Sequence, residues 1–179
     1  SIAAHNAEIM PAPASPKERA AVALVLSGPD HDLSLCFIKR APHPKDPWSG
    51  HMALPGGRFE DKDGNSRAVA VRETYEEVGL LLESGHDIGP LSEMPIARYP
   101  HPLAGVLSPH VFVLPGPPPS FNIDPKEVAQ AYWIPLTHIC DPASQSNLTW
   151  DSRAYTGIEF GGEIVWGLTL RVLYSFTQL

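Results

Sequence analysis

The chain has 179 residues, 43% of them hydrophobic and 18% charged, and a formal net charge of −7. That length suits one domain with a sizeable core. The acidic balance, with a pI of about 5.5, excludes a general binder of nucleic acid or anionic membrane, which needs a basic surface.

Residues 1–18 are rich in Ala and Pro and are expected to form a flexible arm, with residues 19–179 forming one domain. The apolar run AAVALVL (20–26), the turn signal SGPDHD and LSLCFIKR (33–40) predict a β-hairpin. A Pro-rich loop follows, then a short strand at HMAL that PGG is expected to break. From Ser66 to Val78 the pattern is helical, with Asp63 or Ser66 as a cap and Gly79 as the stop. Strands are expected in GPLSEMPIARY, GVLSPHVFVLPG and EVAQAYWIPL, a helix start at LTHI, and short strands around a glycine turn over 148–165. An amphipathic helix, VWGLTLRVLYSFTQL, closes the chain. Locally pairing strands and few helices point to an α/β sandwich with a mixed sheet rather than a doubly wound parallel sheet.

Two cysteines, Cys36 and Cys140, offer neither a CxxC pair nor a disulfide framework, so a reducing compartment is the expectation. No apolar run approaches the length of a membrane span. The first residues lack the basic-then-apolar order of a signal peptide. The expected location is cytoplasmic, and neither nucleic acid nor membrane is an expected partner.

The stretch RETYEEVG (72–79) places Glu73, Glu76 and Glu77 at the C-terminal end of the central helix. That end carries the negative pole of the helix dipole, where cations are favoured. On a wheel of about 100° per residue, Ala68, Val71, Tyr75 and Val78 form a core stripe, and the three glutamates share the opposite face. Like charges at i,i+3 and i,i+4 repel by a few tenths of a kcal/mol each. A solvated acidic face is the ordinary reading of such a patch. A bound divalent cation removes both objections, and hard carboxylate oxygens suit Mg²⁺ or Mn²⁺. Arg72 can reach Glu76 at i+4. Upstream, Gly56 and Gly57 let the backbone approach a ligand or offer a carbonyl to a metal.

GGRFEDKDGNSRAVAVRETYEEVGL resembles the signature of the Nudix hydrolases: Gly, five residues, Glu, seven residues, then Arg-Glu-U-x-Glu-Glu-x-Gly-U, with U aliphatic. Thr74 stands at the first U. Gly57 to Arg72 spans one residue more than the pattern, and Asp63 best matches the isolated acid. The resemblance implies an α/β/α sandwich with a mixed β-sheet, and Mg²⁺-dependent hydrolysis of a nucleoside diphosphate linked to another group. It implies Glu73, Glu76 and Glu77 as metal ligands, the Gly56 carbonyl assisting, and Arg72 orienting the glutamates. Glu77 and Glu127 are the candidates for the general base. For Glu127 the rival reading is an exposed loop glutamate.

Other residues carry weaker signals. His51 and Trp48 flank the glycine turn and are candidate substrate contacts, with structural roles as the alternative. Arg40 and Lys39 end a strand near the same turn and are candidate phosphate contacts, as is Gly57 through close approach of its backbone. His110 reads as packing within a strand. Tyr99, His101 and Pro102 form a loop with no assigned role.

WSGHMALPGGRFEDKD and the terminal VWGLTLRVL resemble the coenzyme A pyrophosphatase branch of the family, which also carries the longer spacing. Leu54 and His51 depart from that branch's usual aromatic and glutamine. The branch favours coenzyme A as substrate, with Arg40, Lys39 and Lys45 as candidate cations for its 3′-phosphate. ADP-ribose or a nucleoside diphosphate sugar is the competing substrate, and a non-catalytic nucleotide sensor the competing class. Such sensors commonly lose one or more signature glutamates, whereas all three are present here. The family's frequent homodimers make a homodimer a further expectation.

Overall fold

A computed structural model describes residues 6–11, 15, 18–44, 46, 48–98 and 101–178. Eight strands form one mixed sheet: β1 (Arg19–Ser27), β2 (Ser34–Arg40), β3 (Met52–Ala53), β4 (Gly56–Arg58), β5 (Asp87–Pro90), β6 (Met94–Arg98), β7 (His101–Val113) and β8 (Val128–Pro135). Its central path runs β3-β2-β1-β7-β5. The β1–β7 pair is parallel and the other pairs are antiparallel. A second, antiparallel sheet holds β9 (Gln145–Trp150), β10 (Arg153–Phe160) and β11 (Glu163–Val165). The helices are α1 (Ser66–Val78), α2 (Leu136–Ile139) and α3 (Gly167–Thr177).

The period of two along β1 divides its side chains between two cores. Ala21, Ala23 and Val25 join Cys36, Ile38 and Phe112 beneath Val69, Ala70 and Val78 of α1. Leu24 and Leu26 join Leu35, Phe37 and Val111 beneath Leu170, Val172 and Leu173 of α3. The sheet is thus covered on both faces, which makes the expected α/β/α sandwich. No helix among the described residues is long and apolar enough to cross a membrane.

Four local expectations need correction. The glycines after Pro55 do not only end a strand. They form β4, paired with the N-terminal half of β1 through Val22↔Gly56 and Ala21↔Gly57. There β4 takes the edge that β2 occupies further along at Leu26↔Leu35. A Cβ on Gly56 would lie 2.3 Å from the Ala21 carbonyl oxygen, so only glycine admits this pairing.

The helix cap is Asn65, whose side chain accepts from the Ala68 N–H at 2.9 Å, not Asp63 or Ser66. Asn65 holds the extended conformation a cap requires, while Ser66 is already helical.

The wheel phase also shifts. The buried residues of α1 are Val69, Ala70, Thr74, Glu77 and Val78, while Tyr75 is 59% exposed. Thr74 can be buried because its hydroxyl donates to the Ala70 carbonyl at 2.7 Å. Glu77 therefore lies within the packed face, not opposite it.

The arm expected over 1–18 is tied down in part. The Glu8 N–H donates to Ser92 Oγ, the Met10 N–H to Glu93 Oε2, and the Glu93 N–H to the Glu8 carbonyl.

Candidate active site

Helix α1 stops at Gly79, which adopts a left-handed φ of 72° and donates its N–H to the Tyr75 carbonyl. A Cβ at this position would lie 2.8 Å from Asn122 Cβ, because the 122–127 loop folds over the helix end. The Asn122 N–H donates to the Val78 carbonyl at 2.9 Å, and the Asp124 N–H to the Glu77 carbonyl at 3.1 Å. These bonds satisfy terminal carbonyls that a helix leaves without partners. They also carry Glu127 to the last turn of α1.

Carboxylate oxygens of Glu73, Glu77 and Glu127 consequently lie within 4.8 Å of one another. Glu77 is 2% exposed, and its Oε2 accepts from the Gly56 N–H at 2.9 Å. Burial pushes its carboxyl up to about 8, against the lowering effect of that bond. Burial also raises the Glu73 carboxyl, outweighing the Arg72 guanidinium beside it. Gly57 makes room for Glu73: a Cβ there would stand 2.2 Å from Glu73 Oε1. Glu127 is exposed at the rim.

Arg72 is the hub. Its Nε and Nη2 donate to the two oxygens of Asp63 at 3.0 and 2.8 Å. Its Nη1 donates to Glu73 Oε1 at 2.9 Å and to Glu76 Oε2 at 2.8 Å. The bidentate grip on Asp63 depends on the flat guanidinium fork. The hydrogen bond from Arg72 draws the Asp63 carboxyl below its usual range and raises the arginine further above its own.

The structure brings together part of the expected metal set of Glu73, Glu76 and Glu77. Glu127 joins the convergent group, and Glu76 stands outside it, its side chain 46% exposed between Arg72 and Lys62. The physical reason is Arg72, which draws the Glu76 carboxylate along the helix surface. At Gly56 the contact that forms is through the N–H, to Glu77.

The donor set fits a divalent cation. It is all hard oxygen, it converges, and it includes a buried carboxyl that burial alone disfavours as an anion. Glu73 and Glu77 would hold the ion, with Glu127 at the exposed rim of the same group.

The flanking predictions divide. Arg40 donates from Nε and Nη2 to Asp46 Oδ2 at 2.9 and 2.8 Å, pinning the loop before Trp48. Its backbone lies between His51 and Glu127: the Arg40 N–H donates to the His51 carbonyl and the Ala41 N–H to the Glu127 carbonyl. Lys39 is paired with Glu163 at the start of β11, so it is not a free phosphate contact. Lys45 and Tyr99 lie outside the described residues, as do the side chains of His101 and Pro102. His110 is buried and bonded to Ser66 Oγ at 2.9 Å, as packing within a strand implies.

His51 and Trp48 meet each other at 5.8 Å between ring centroids. They also meet Trp150 and Trp166, which sequence reasoning did not single out. Trp166 lies in the VWGLTLRVL stretch and Trp150 is legible only as tryptophan content, and neither signal reveals that positions about 100 residues apart converge.

This fold and this glutamate arrangement belong to one class of protein. A model of the NUDIX domain matches residues 17–155, and the chain belongs to that family. It is similar to the peroxisomal coenzyme A diphosphatase ndx-8 of Caenorhabditis elegans, at 35% identity over 57% of this chain and 42% of that protein. It is likewise similar to the mitochondrial coenzyme A diphosphatase NUDT8 of Homo sapiens, at 30% identity over 73% of this chain and 56% of that protein. The chain thus spans about half the length of the curated relatives it matches. Among solved structures, a MutT/nudix family protein from Enterococcus faecalis superposes with a TM-score of 0.65. It covers 94% of this chain and 64% of its own at 16% identity, a likeness of fold alone.

Proposed function

We propose that this chain is a divalent-cation-dependent diphosphatase that hydrolyses coenzyme A or a derivative at its diphosphate, coenzyme A itself giving 3′,5′-ADP and 4′-phosphopantetheine. The observation that carries the chemistry is the convergence of Glu73, Glu77 and Glu127 within 4.8 Å, with Gly57 leaving room for Glu73. The substrate rests on similarity to the two coenzyme A diphosphatases.

A bound Mg²⁺ or Mn²⁺ supplies charge neutralisation for the diphosphate and acidifies the attacking water. The chain's own groups do the rest. Glu77, locked by the Gly56 N–H, is a fixed ligand. Glu127 is the exposed member of the group, so it can take the proton from water and return it to solvent, which makes it the general base. Arg72 holds Glu73 and is itself held by Asp63, so the carboxylates need little reorganisation when charge develops. Water adds to one phosphorus, the bridging P–O bond breaks, and each phosphate leaves with one half of the substrate.

The competing substrate is ADP-ribose or a nucleotide sugar. The test is kcat/KM for coenzyme A, dephospho-coenzyme A, ADP-ribose and a UDP-sugar at equal Mg²⁺. Preferential cleavage of coenzyme A or its dephospho form is expected. Cleavage of ADP-ribose or a sugar nucleotide without coenzyme A would overturn the substrate assignment. No turnover of any of them would favour a nucleotide sensor.

A further inference from the structure

Five aromatic rings gather on one side of the carboxylate group. Trp48 comes from the Pro-rich loop and His51 from the approach to β3. Trp150 ends β9, Tyr155 lies in β10 and Trp166 precedes α3. Trp48 and Trp150 stack at 5.7 Å with 19° between their planes. Trp166 backs the stack, 5.1 Å from His51, 5.4 Å from Trp150 and 5.0 Å from Tyr155. The rings pack on one another, so they enclose no cage. The stacked pair is nevertheless open to solvent, with Trp48 44% and Trp150 36% exposed. Leaving this much indole surface in water forfeits the burial that such large rings ordinarily supply.

The backbone fixes where this platform lies. The Arg40 N–H donates to the His51 carbonyl at 3.0 Å, and the next N–H, of Ala41, donates to the Glu127 carbonyl at 2.8 Å. His51 and Glu127 therefore flank the end of β2 on opposite sides. Two strand spacings separate them, about 10 Å. A ligand whose phosphates sit at the carboxylates would extend across the β2 end onto the tryptophans. Trp166 and part of β10 lie beyond the residues that the NUDIX model matches, 17–155.

We propose that Trp48 and Trp150 form the platform on which the nucleobase of the substrate stacks, with the second sheet supplying half of it. A flat, rigid, half-exposed indole surface suits a planar ring, because every base offers a π face to stack on. It suits a flexible pantetheine arm less, since a flat surface cannot wrap a chain. The backing rings hold the stack in place before the base arrives, so little ordering remains to be done on binding. The inference rests on the proposed activity toward a nucleotide-linked diphosphate and adds which end of that substrate lies on the second sheet.

Intrinsic tryptophan fluorescence titrated with AMP, and separately with 4′-phosphopantetheine, tests it in the wild type, Trp150→Ala and Trp150→Phe. AMP should quench the wild type. Trp150→Ala should bind AMP about tenfold more weakly or worse, the scale of one lost base stack, and Trp150→Phe should recover most of the loss. KM for whichever adenine-containing substrate the wild type cleaves should rise in parallel, and 4′-phosphopantetheine affinity should not change. Trp48→Ala serves as the second variant if Trp150→Ala does not fold. Unchanged AMP affinity, no AMP binding by the wild type, or a loss confined to 4′-phosphopantetheine would each overturn the platform. AMP binding does not depend on which diphosphate is cleaved. A platform that survives while coenzyme A goes uncleaved would therefore separate the two readings.

Discussion

The two ends of helix α1 handle charge in opposite ways. At its start, Arg67 pairs with Asp87, and Ser66 bonds to His110. Burial holds the His110 imidazole below its usual value, toward the neutral form. Positive and negative charges match there. At its end, the Arg72 guanidinium bonds Asp63, Glu73 and Glu76, with Lys62 also pairing with Glu76, while Glu77 is buried with a backbone N–H as its donor and Glu127 leans in from the loop. Both ends are packed against the same sheet, so surroundings do not explain the contrast. The first end is what structure alone requires of a half-buried charge. The second keeps an excess of carboxylate at the unfavourable pole of the dipole, which stability does not call for and a cation does.

The largest effects should come from changing the glutamates. Glu77→Gln and Glu73→Gln should each lower turnover by orders of magnitude in steady-state assays with Mg²⁺. Glu76→Gln tests whether that side chain leaves Arg72 for the same cation. Because Glu76 stands outside the convergent group and pairs with Arg72, a smaller loss is expected than for Glu73 or Glu77, and a loss of equal size would bring it into the cation site.

Next in size is Glu127→Gln. As the general base it should cost about 10²-fold in kcat or more, with little change in KM. An effect on KM alone would make Glu127 a substrate contact. Arg72→Lys should then lower kcat/KM by about 10- to 100-fold, the scale for losing a group that orients metal ligands. A lysine cannot grip Asp63 in bidentate fashion and still reach both glutamates.

How the sequence foretold these two ends also differs. Spacing alone placed α1 at Ser66–Val78 with Gly79 as its stop, and the structure agrees. The hairpin of β1 and β2 and the mixed sheet were equally legible, because periodicity and turn residues are local signals. The buried face of α1 was not. Thr74 and Glu77 read as polar, yet each has a partner that permits burial, a helix carbonyl for one and the Gly56 N–H for the other. The group of Glu73, Glu77 and Glu127 joins residues up to 54 positions apart in sequence and depends on a loop closing over a helix end. The tryptophan stack depends on two sheets meeting. Neither arrangement leaves a pattern within a short window.

The smallest expected effects are on stability, and they follow from the shifted carboxyls. Asp63 is held below its usual range, so its contribution is present above the ordinary carboxylate pKa, near 4. It is lost as pH falls through the lower folded-state value. Asp63→Asn should flatten the acid limb of a melting-temperature profile. Glu77 has the opposite sign. Its folded value of about 8 exceeds the unfolded one, so metal-free stability should fall as pH rises from about 4 toward 8. Glu77→Gln should abolish that decline.

The most direct test of the carboxylate group as a cation site is calorimetric titration of the metal-free protein with Mn²⁺ at pH 8, wild type beside Glu77→Gln. The account predicts saturable binding to the wild type. It predicts at least a tenfold weaker interaction with a Glu77→Gln protein that melts no lower than the metal-free wild type. A wild type that binds no Mn²⁺, or a Glu77→Gln variant that binds it equally well, would contradict it.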